Sequence, residues 1–352
     1  MVEAERLGAP WPGAVAVSGG GDSLALMLLL AQRARVQNMT APIVLTVDHG
    51  LRKGSAADAR KAAAFATAAG LKAHVLRWRG KKPDSDIEAA ARDARYRLMG
   101  AWCAGHGIRG LYLAHTLEDQ AETFLLRLAR GSGIDGLSAM RIVAPLPSRD
   151  REGVVLVRPL LGIGRERLRK LLAERGQKWI EDPMNSDTRF ARVRIRAAWP
   201  LLTSIGLSSA RIALAAGHLA RAREALDQDT RALIAGSSRF ERGIAVVDAA
   251  GLAAAPREIG LRALASILME VSAHDYRPRF ERLERLFTLM CAGRLKVACT
   301  LHGCRVAPAK KTDAVFGPGT LVVTPETRRR GDWRKGGGKK VPGIPQEINS
   351  PA

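Results

Sequence analysis

The 352 residues include only four cysteines, and Cys103, Cys291, Cys299 and Cys304 form no Cys-x-x-Cys pair. That excludes a disulfide framework or a cysteine-built zinc site, and it implies reduced thiols in a cytoplasmic protein. Long apolar runs are missing too, none reaching the roughly 18 residues that a membrane span needs. Met1 to Pro12 carries Glu3, Glu5 and Arg6 and no apolar stretch, so no secretory leader is expected. Internal repeats are absent. Acidic residues are in deficit: 34 Asp and Glu face 56 Lys and Arg, a formal net charge of +22. Such an excess calls for a polyanionic partner, and with no membrane-seeking segment the simplest one is nucleic acid.

What the chain does have is Ser18-Gly19-Gly20-Gly21-Asp22-Ser23, between the apolar run Ala14–Val17 and the helix-forming run Leu24–Leu30. Three glycines between a strand and a helix let the backbone turn tightly and approach a ligand. The helix start adds unsatisfied N–H groups and a positive dipole end, which together favour an anion. Ser18 and Ser23 add hydroxyls, and Asp22 can hold a metal ion on phosphates. A glycine triplet alone reads more readily as an ordinary turn; the serines and the aspartate at this spacing reverse that and favour a phosphate loop. No lysine ends it, so it is not the Gly-x-x-x-x-Gly-Lys-Ser/Thr loop.

Up to about residue 130 strands and helices alternate. Strands are predicted at Ile43–Val47, Ala73–Trp78 and Gly110–Ala114, and helices at Ala56–Ala69, Ile87–His106 and Leu117–Arg130. This alternation predicts an α/β fold, a doubly wound and mostly parallel sheet whose ligands bind beyond the carboxyl ends of the strands. The polar clusters Ser18–Ser23, Asp48-His49 and His115 all fall at such ends. Asp48-His49-Gly50-Leu51-Arg52 is either a loop with a capping aspartate or a nucleotide contact, and its place beside the glycine loop favours the second. Arg92 and Arg95 share a helix face, as a solvated basic pair or as a pair aimed at phosphates. Asp119 and Glu122 lie three apart on the helix after His115, and so on one face. They either complement the helix dipole or form a carboxylate pair for an ammonium group or magnesium. Arg127 to Leu137, basic and glycine-rich, suits either a loop against a phosphate backbone or a helix cap and turn.

The order of these motifs resembles the tRNA(Ile)-lysidine synthetases, within the PP-loop ATP pyrophosphatases. It runs Ser-Gly-Gly-Gly-Asp-Ser, Asp-His-Gly-Leu-Arg, Arg-x-x-Arg-Tyr, Ala-His-x-x-x-Asp-Gln-Ala-Glu-Thr and Arg-Gly-Ser-Gly-x-x-Gly-Leu. It continues through Val157–Leu161, Trp179–Asn185 and Phe190–Arg196, and the likeness covers about residues 13 to 202. The chain departs from the family pattern at Thr116, usually His, at Glu118, usually Asp, and at Val193, usually Asn. The first two lie at the edge of the lysine pocket.

The resemblance implies ATP and Mg2+ bound by Ser18, Gly19, Gly20, Gly21, Asp22 and Ser23, with Asp22 on the metal and Asp48 and His49 beside the nucleotide. It places Arg95 and His115 on the phosphates and the adenylated base, Asp119 and Glu122 on the lysine amine, and Arg192 and Arg196 over the site. The implied reaction is ATP-dependent ligation of L-lysine to the wobble cytidine of an isoleucine tRNA with a CAU anticodon. Two other readings stay open: a tRNA thiolase of the same superfamily, and a non-catalytic tRNA binder on a degenerate ATP fold.

Residues 1–204 are therefore expected as the catalytic domain. After Pro200 the composition turns Ala-, Leu- and Arg-rich, and residues 205–292 are expected as a helical, tRNA-contacting domain. Residues 293–326 are expected as a small α+β or β-rich region, and 327–352, with seven cations between Arg328 and Lys340, as a disordered basic tail. The oligomeric state, a homodimer included, is left open.

Overall fold

A computed structural model describes residues 1–147, 153–181, 191–310 and 314–326. The chain divides into two compact units, Met1–Arg223 and Glu224–Ala352. The expected basic tail and the stretch Asp182–Phe190 lie outside the described residues.

In the first unit a short α1 (Val2–Arg6) precedes β1 (Gly13–Ala16), α2 (Gly21–Val36), β2 (Ile43–Asp48), α3 (Ser55–Ala68) and β3 (Ala73–Arg77). There follow α4 (Ile87–Gly105), β4 (Gly110–Tyr112), α5 (Leu117–Leu128), α6 (Ile134–Leu137), β5 (Val143–Pro145), β6 (Val155–Val157), α7 (Arg165–Glu174) and α8 (Ala191–Ser204). The strands pair in the order β3-β2-β1-β4-β6-β5, parallel throughout except for β5 against β6. The four expected strands are present, and the last two widen the sheet. Alternation along β1 and into its loop shows why the sheet is covered on both faces. Val15 and Val17 pack with Leu24, Met27 and Leu30 of α2, Ala62 and Ala66 of α3, and Leu168 and Leu172 of α7. Ala14 and Ala16 point the other way, into Tyr96, Met99 and Cys103 of α4 and Leu111 of β4. Each large apolar side chain fully buried this way contributes about 1.5–3 kcal/mol. The chain leaves β1 for β2 on one side and later returns to β4 on the other. The carboxyl end of β1 is therefore the switch point of a doubly wound sheet, where a crevice opens.

The division between the units falls within α9 (Ser209–Ser237). The second unit adds β7 (Ser238–Glu241), β8 (Ile244–Asp248), α10 (Ala249–Ala254), α11 (Arg257–Ser272), α12 (Phe280–Cys291), β9 (Cys299–Leu301), β10 (Cys304–Pro308) and β11 (Thr320–Pro325). Its five strands form an antiparallel sheet, β7-β8-β11-β10-β9. The hairpin β7–β8 interrupts the stretch expected to be helical. Ala245 and Val247 of β8 face inward in strand alternation and join Leu264, Leu268 and Phe287 of the helices with Val306 and Val323 of the late strands. The helical and β-rich stretches thus share one core, because β8 pairs with β11 and ties 244–248 to 320–325.

Candidate active site

The cleft at the end of β1 encloses about 830 Å³. Its floor is the glycine loop. Gly19 has φ +89°, and a Cβ there would lie 2.5 Å from Ile180 Cδ1, so only glycine fits. The Ile180 N–H donates to the Gly19 carbonyl at 2.9 Å, which lays Trp179-Ile180-Glu181 along the loop. Gly20 is the N-cap of α2 with no side-chain cap bond, so the first N–H groups of the helix face the cleft uncapped. The serines brace the loop from within. Ser23 Oγ donates to the Gly20 carbonyl at 2.8 Å and accepts from the Ser18 N–H at 3.2 Å. Asp22, in the first turn, has its carboxyl raised above the ordinary range by burial, with Arg165 opposing and Asp119 reinforcing the shift.

Four residues lining the cleft each carry a buried polar atom with no hydrogen-bond partner among the described residues: Thr46 Oγ1, His49 Nδ1, Arg95 Nε and His115 Nδ1. Each unsatisfied buried group costs about 1–3 kcal/mol, so their grouping calls for a polar ligand. Burial, then the Arg158 charge, pushes His115 well below the ordinary histidine range, so its imidazole is neutral at pH 7. His49 is lowered in the same direction by burial and by Arg95. Arg95 reaches the cleft lining while Arg92 on the same face is exposed outside it. Asp48 is turned to its own loop, accepting from Ser55 Oγ at 2.7 Å, the Gly50 N–H at 3.0 Å and Arg77 Nε at 3.3 Å. Arg127 is likewise spent locally, donating to the carbonyls of Gly136 and Ala139 and stapling the Arg-Gly-Ser-Gly turn.

Beyond the end of β4, next to β1, Thr116 caps α5 in a capping box: its N–H and hydroxyl both donate to Asp119 Oδ2, at 2.8 and 3.1 Å. Threonine at the position where the family usually has histidine therefore serves the helix start. Asp119 and Glu122 are both buried and share one face, and three arginines converge on them. Arg165 donates to Asp119 at 2.6 Å, to Glu122 at 3.2 Å and to Asp22 at 3.2 Å. Arg196 donates to Glu122 at 2.7 Å, and Arg192 stands 3.6 Å from Asp119. Burial alone would raise the Asp119 carboxyl, but Arg165, the Thr116 N–H and Arg192 outweigh it and hold it below the ordinary range. Glu118 lies outside this cluster and accepts the Arg165 backbone N–H on both oxygens at 3.1 Å, capping the start of α7.

Seen from the sequence, Arg165 and Trp179 are the missed members of the site. Arg165 did leave a signal: a cation at the first position of a helix opposes the dipole and points to a nearby anion. Among the described residues no group of three or more His, Cys, Asp or Glu side chains is arranged to hold a metal. Asp22 at the phosphate end still fits magnesium, which commonly takes one or two carboxylates and completes its shell with phosphates and water.

Glycine loop, switch point and uncapped helix start define a PP-loop ATP-binding protein, and the PP-loop domain family matches residues 12–201. The tRNA(Ile)-lysidine synthase of Ruegeria pomeroyi is 43% identical over 265 residues, covering 75% of this chain and 62% of that protein. The tRNA(Ile)-lysidine synthase of Methylobacterium nodulans is 40% identical over 324 residues, covering 90% of this chain and 91% of that one. Among solved structures, the U34-tRNA thiolase NcsA of Methanococcus maripaludis, with its 4Fe-4S cluster, aligns with a TM-score of 0.48 and 17% identity. That alignment covers 59% of this chain and 72% of the other. The chain belongs to the tRNA(Ile)-lysidine synthase family.

Proposed function

We propose that the protein ligates L-lysine to carbon 2 of the wobble cytidine in an isoleucine tRNA with a CAU anticodon, consuming ATP. The observation that carries this reading is one cleft lined both by an uncapped glycine loop and by Asp119, whose buried partner Glu122 lies one helical turn behind it, the first suited to phosphates and the pair to an amine. The cytidine O2 attacks the α-phosphorus of ATP and pyrophosphate leaves. The lysine ε-amine, having lost its proton, then bonds to carbon 2; the C2–O bond breaks and AMP departs with that oxygen.

The N–H groups at the start of α2 hold the phosphates. Arg95 and the neutral His115 orient the nucleotide and the base, and Asp119 and Glu122 receive the amine, with Arg192 and Arg196 over the site. Positioning and fixed charge supply the catalysis without a covalent enzyme intermediate. A magnesium ion, held by Asp22 and the phosphates, would neutralise charge on the triphosphate when bound. The net charge of +22 suits the tRNA, and residues 205–292 are proposed to meet its backbone. No helix among the described residues is long and apolar enough to cross a membrane.

The thiolase reading needs a reactive cysteine in the catalytic unit. Cys103 is fully buried, and burial pushes its thiol up to about 12, leaving it protonated and inert. The decisive assay combines purified protein, ATP, labelled lysine and total bacterial tRNA. Label should enter one tRNA, and ATP–pyrophosphate exchange should appear only when tRNA is present. Binding of tRNA with neither exchange nor label incorporation would instead support the non-catalytic reading.

A further inference from the structure

The carboxylates assigned to the incoming amine are already neutralised. Among the described residues, Arg165 alone reaches Asp119, Glu122 and Asp22, spanning both the amine side and the phosphate side of the cleft. Its side chain is 20% exposed and lines the cleft wall, so it borders the space that substrates would fill. A lysine ammonium entering this arrangement would meet Arg165, Arg192 and Arg196 on the oxygens it needs, and would add a fourth cation to the same carboxylates. Glu122 Oε1 already accepts from Arg165 and Arg196, and Asp119 Oδ1 faces Arg165 and Arg192, so a further cation here would leave the buried pair with more cations than its charge and lone pairs can satisfy. Arg165 is also the member whose other contact, Asp22, sits in the first turn of the helix that faces the phosphates. A guanidinium binds phosphate oxygens in the same forked geometry as carboxylates. Its backbone is held meanwhile, because both Glu118 carboxylate oxygens accept its N–H at 3.1 Å.

We propose that Arg165 is a positioning residue that acts as an internal stand-in for the substrate amine. Before nucleotide binds, it occupies Asp119 and Glu122; when the triphosphate reaches the start of α2, its guanidinium turns from the carboxylates to the phosphates and vacates the amine site. Lysine and nucleotide binding are thereby coupled, with nucleotide favouring lysine, and Glu118 holds the pivot. This rests on the ligase reading above.

The test measures binding of labelled L-lysine to the full chain by equilibrium dialysis, with and without α,β-methylene-ATP, which cannot be cleaved at the reacting bond. In the wild type, the analogue should tighten lysine binding by roughly tenfold or more. Arg165→Gln should bind lysine without nucleotide at least as tightly as the wild type does with it, and the analogue should then change its affinity less than about twofold. Arg165→Lys, which keeps a cation but not the fork, should fall between. Equal lysine affinity with and without the analogue in the wild type would overturn the proposal even if the Gln variant fails to fold. So would an Arg165→Gln protein that has a wild-type melting temperature but loses lysine binding in both conditions. Failure of the ligase reading looks different: the wild type would bind no lysine in either condition and would transfer none to tRNA.

Discussion

Asp119 is tied to Thr116, Arg165 and Arg192, and its two readings predict different chemistry. As a dipole complement it would be worth about 0.3–1 kcal/mol of stability and nothing in turnover. As an amine ligand it matters only after adenylation. Asp119→Asn keeps an oxygen for the Thr116 N–H, so α5 stays capped. Adenylation of tRNA should then remain measurable while lysine transfer falls about ten- to hundred-fold, the loss expected of one charge-assisted bond. Adenylated tRNA should accumulate, detectable by mass spectrometry; equal loss of both steps would put Asp119 in the nucleotide site instead. His115 makes a separate prediction through its protonation. Its folded value lies at about 3, far below the ordinary 6.5, so below 6.5 the unfolded chain binds the proton first. Stability contributed by the neutral ring is therefore lost as pH falls from 6.5 toward 3. His115→Asn should flatten that part of the stability–pH curve, measured by urea midpoints. An unchanged slope would mean that the ring is not buried as a neutral group.

At the scale of elements, the glycine loop and the segment that covers it form one device. Gly19 is in the left-handed region and leaves no room for a Cβ under Ile180. Gly19→Ala should cost about 1–3 kcal/mol of stability, from the backbone penalty and from pushing Trp179-Ile180 off the loop. ATP affinity should fall with it, since the N–H groups of α2 lose their aim. A destabilised variant with normal ATP affinity would show that the cover and the phosphate site are independent.

Much at this scale is legible in the sequence. The strands β1 to β4 stand out because each apolar run is closed by glycine or a polar cluster, α2, α3 and α5 because no breaker interrupts them, and α4 because its helical run carries through Gly100. The three-residue strands β5 and β6 are too short to carry a period, and Val155-Leu156-Val157 becomes a strand only because β4 offers it an edge. The hairpin β7–β8 is hidden for another reason. Its residues follow a long helical run, and their alternation acquires meaning only when β11, more than 70 residues later, pairs with β8.

For the whole molecule the dominant property is charge. Binding through backbone phosphates releases counterions, so tRNA affinity should fall steeply with salt, by roughly 0.7–0.9 in log–log slope per phosphate neutralised. Removing everything after Glu326 takes away seven cations, from Arg328 to Lys340, and should reduce that slope while leaving the fold of both units intact. Measuring binding of purified tRNA at several salt concentrations separates the cases; an unchanged slope would assign the tail another task.

The residues themselves settled the phosphate loop, the alternation of strands and helices, and the basic excess, because each depends on neighbours a few positions away or on composition alone. Asp119 and Glu122 were legible as a pair for the same reason, since one helical turn joins them. Which groups complete the site was decided only by tertiary structure. Asp22 and Arg165 are 143 residues apart and meet because the switch point at β1 and the return through β6 bring α2 and α7 side by side. Asp48 is held within its own loop by Ser55 and the Gly50 N–H, and Arg77, 29 residues on, joins them only because β2 and β3 lie side by side. Local backbone chemistry is written in adjacent residues. The partner of a buried charge is selected by sheet order and packing, which no short stretch of sequence contains.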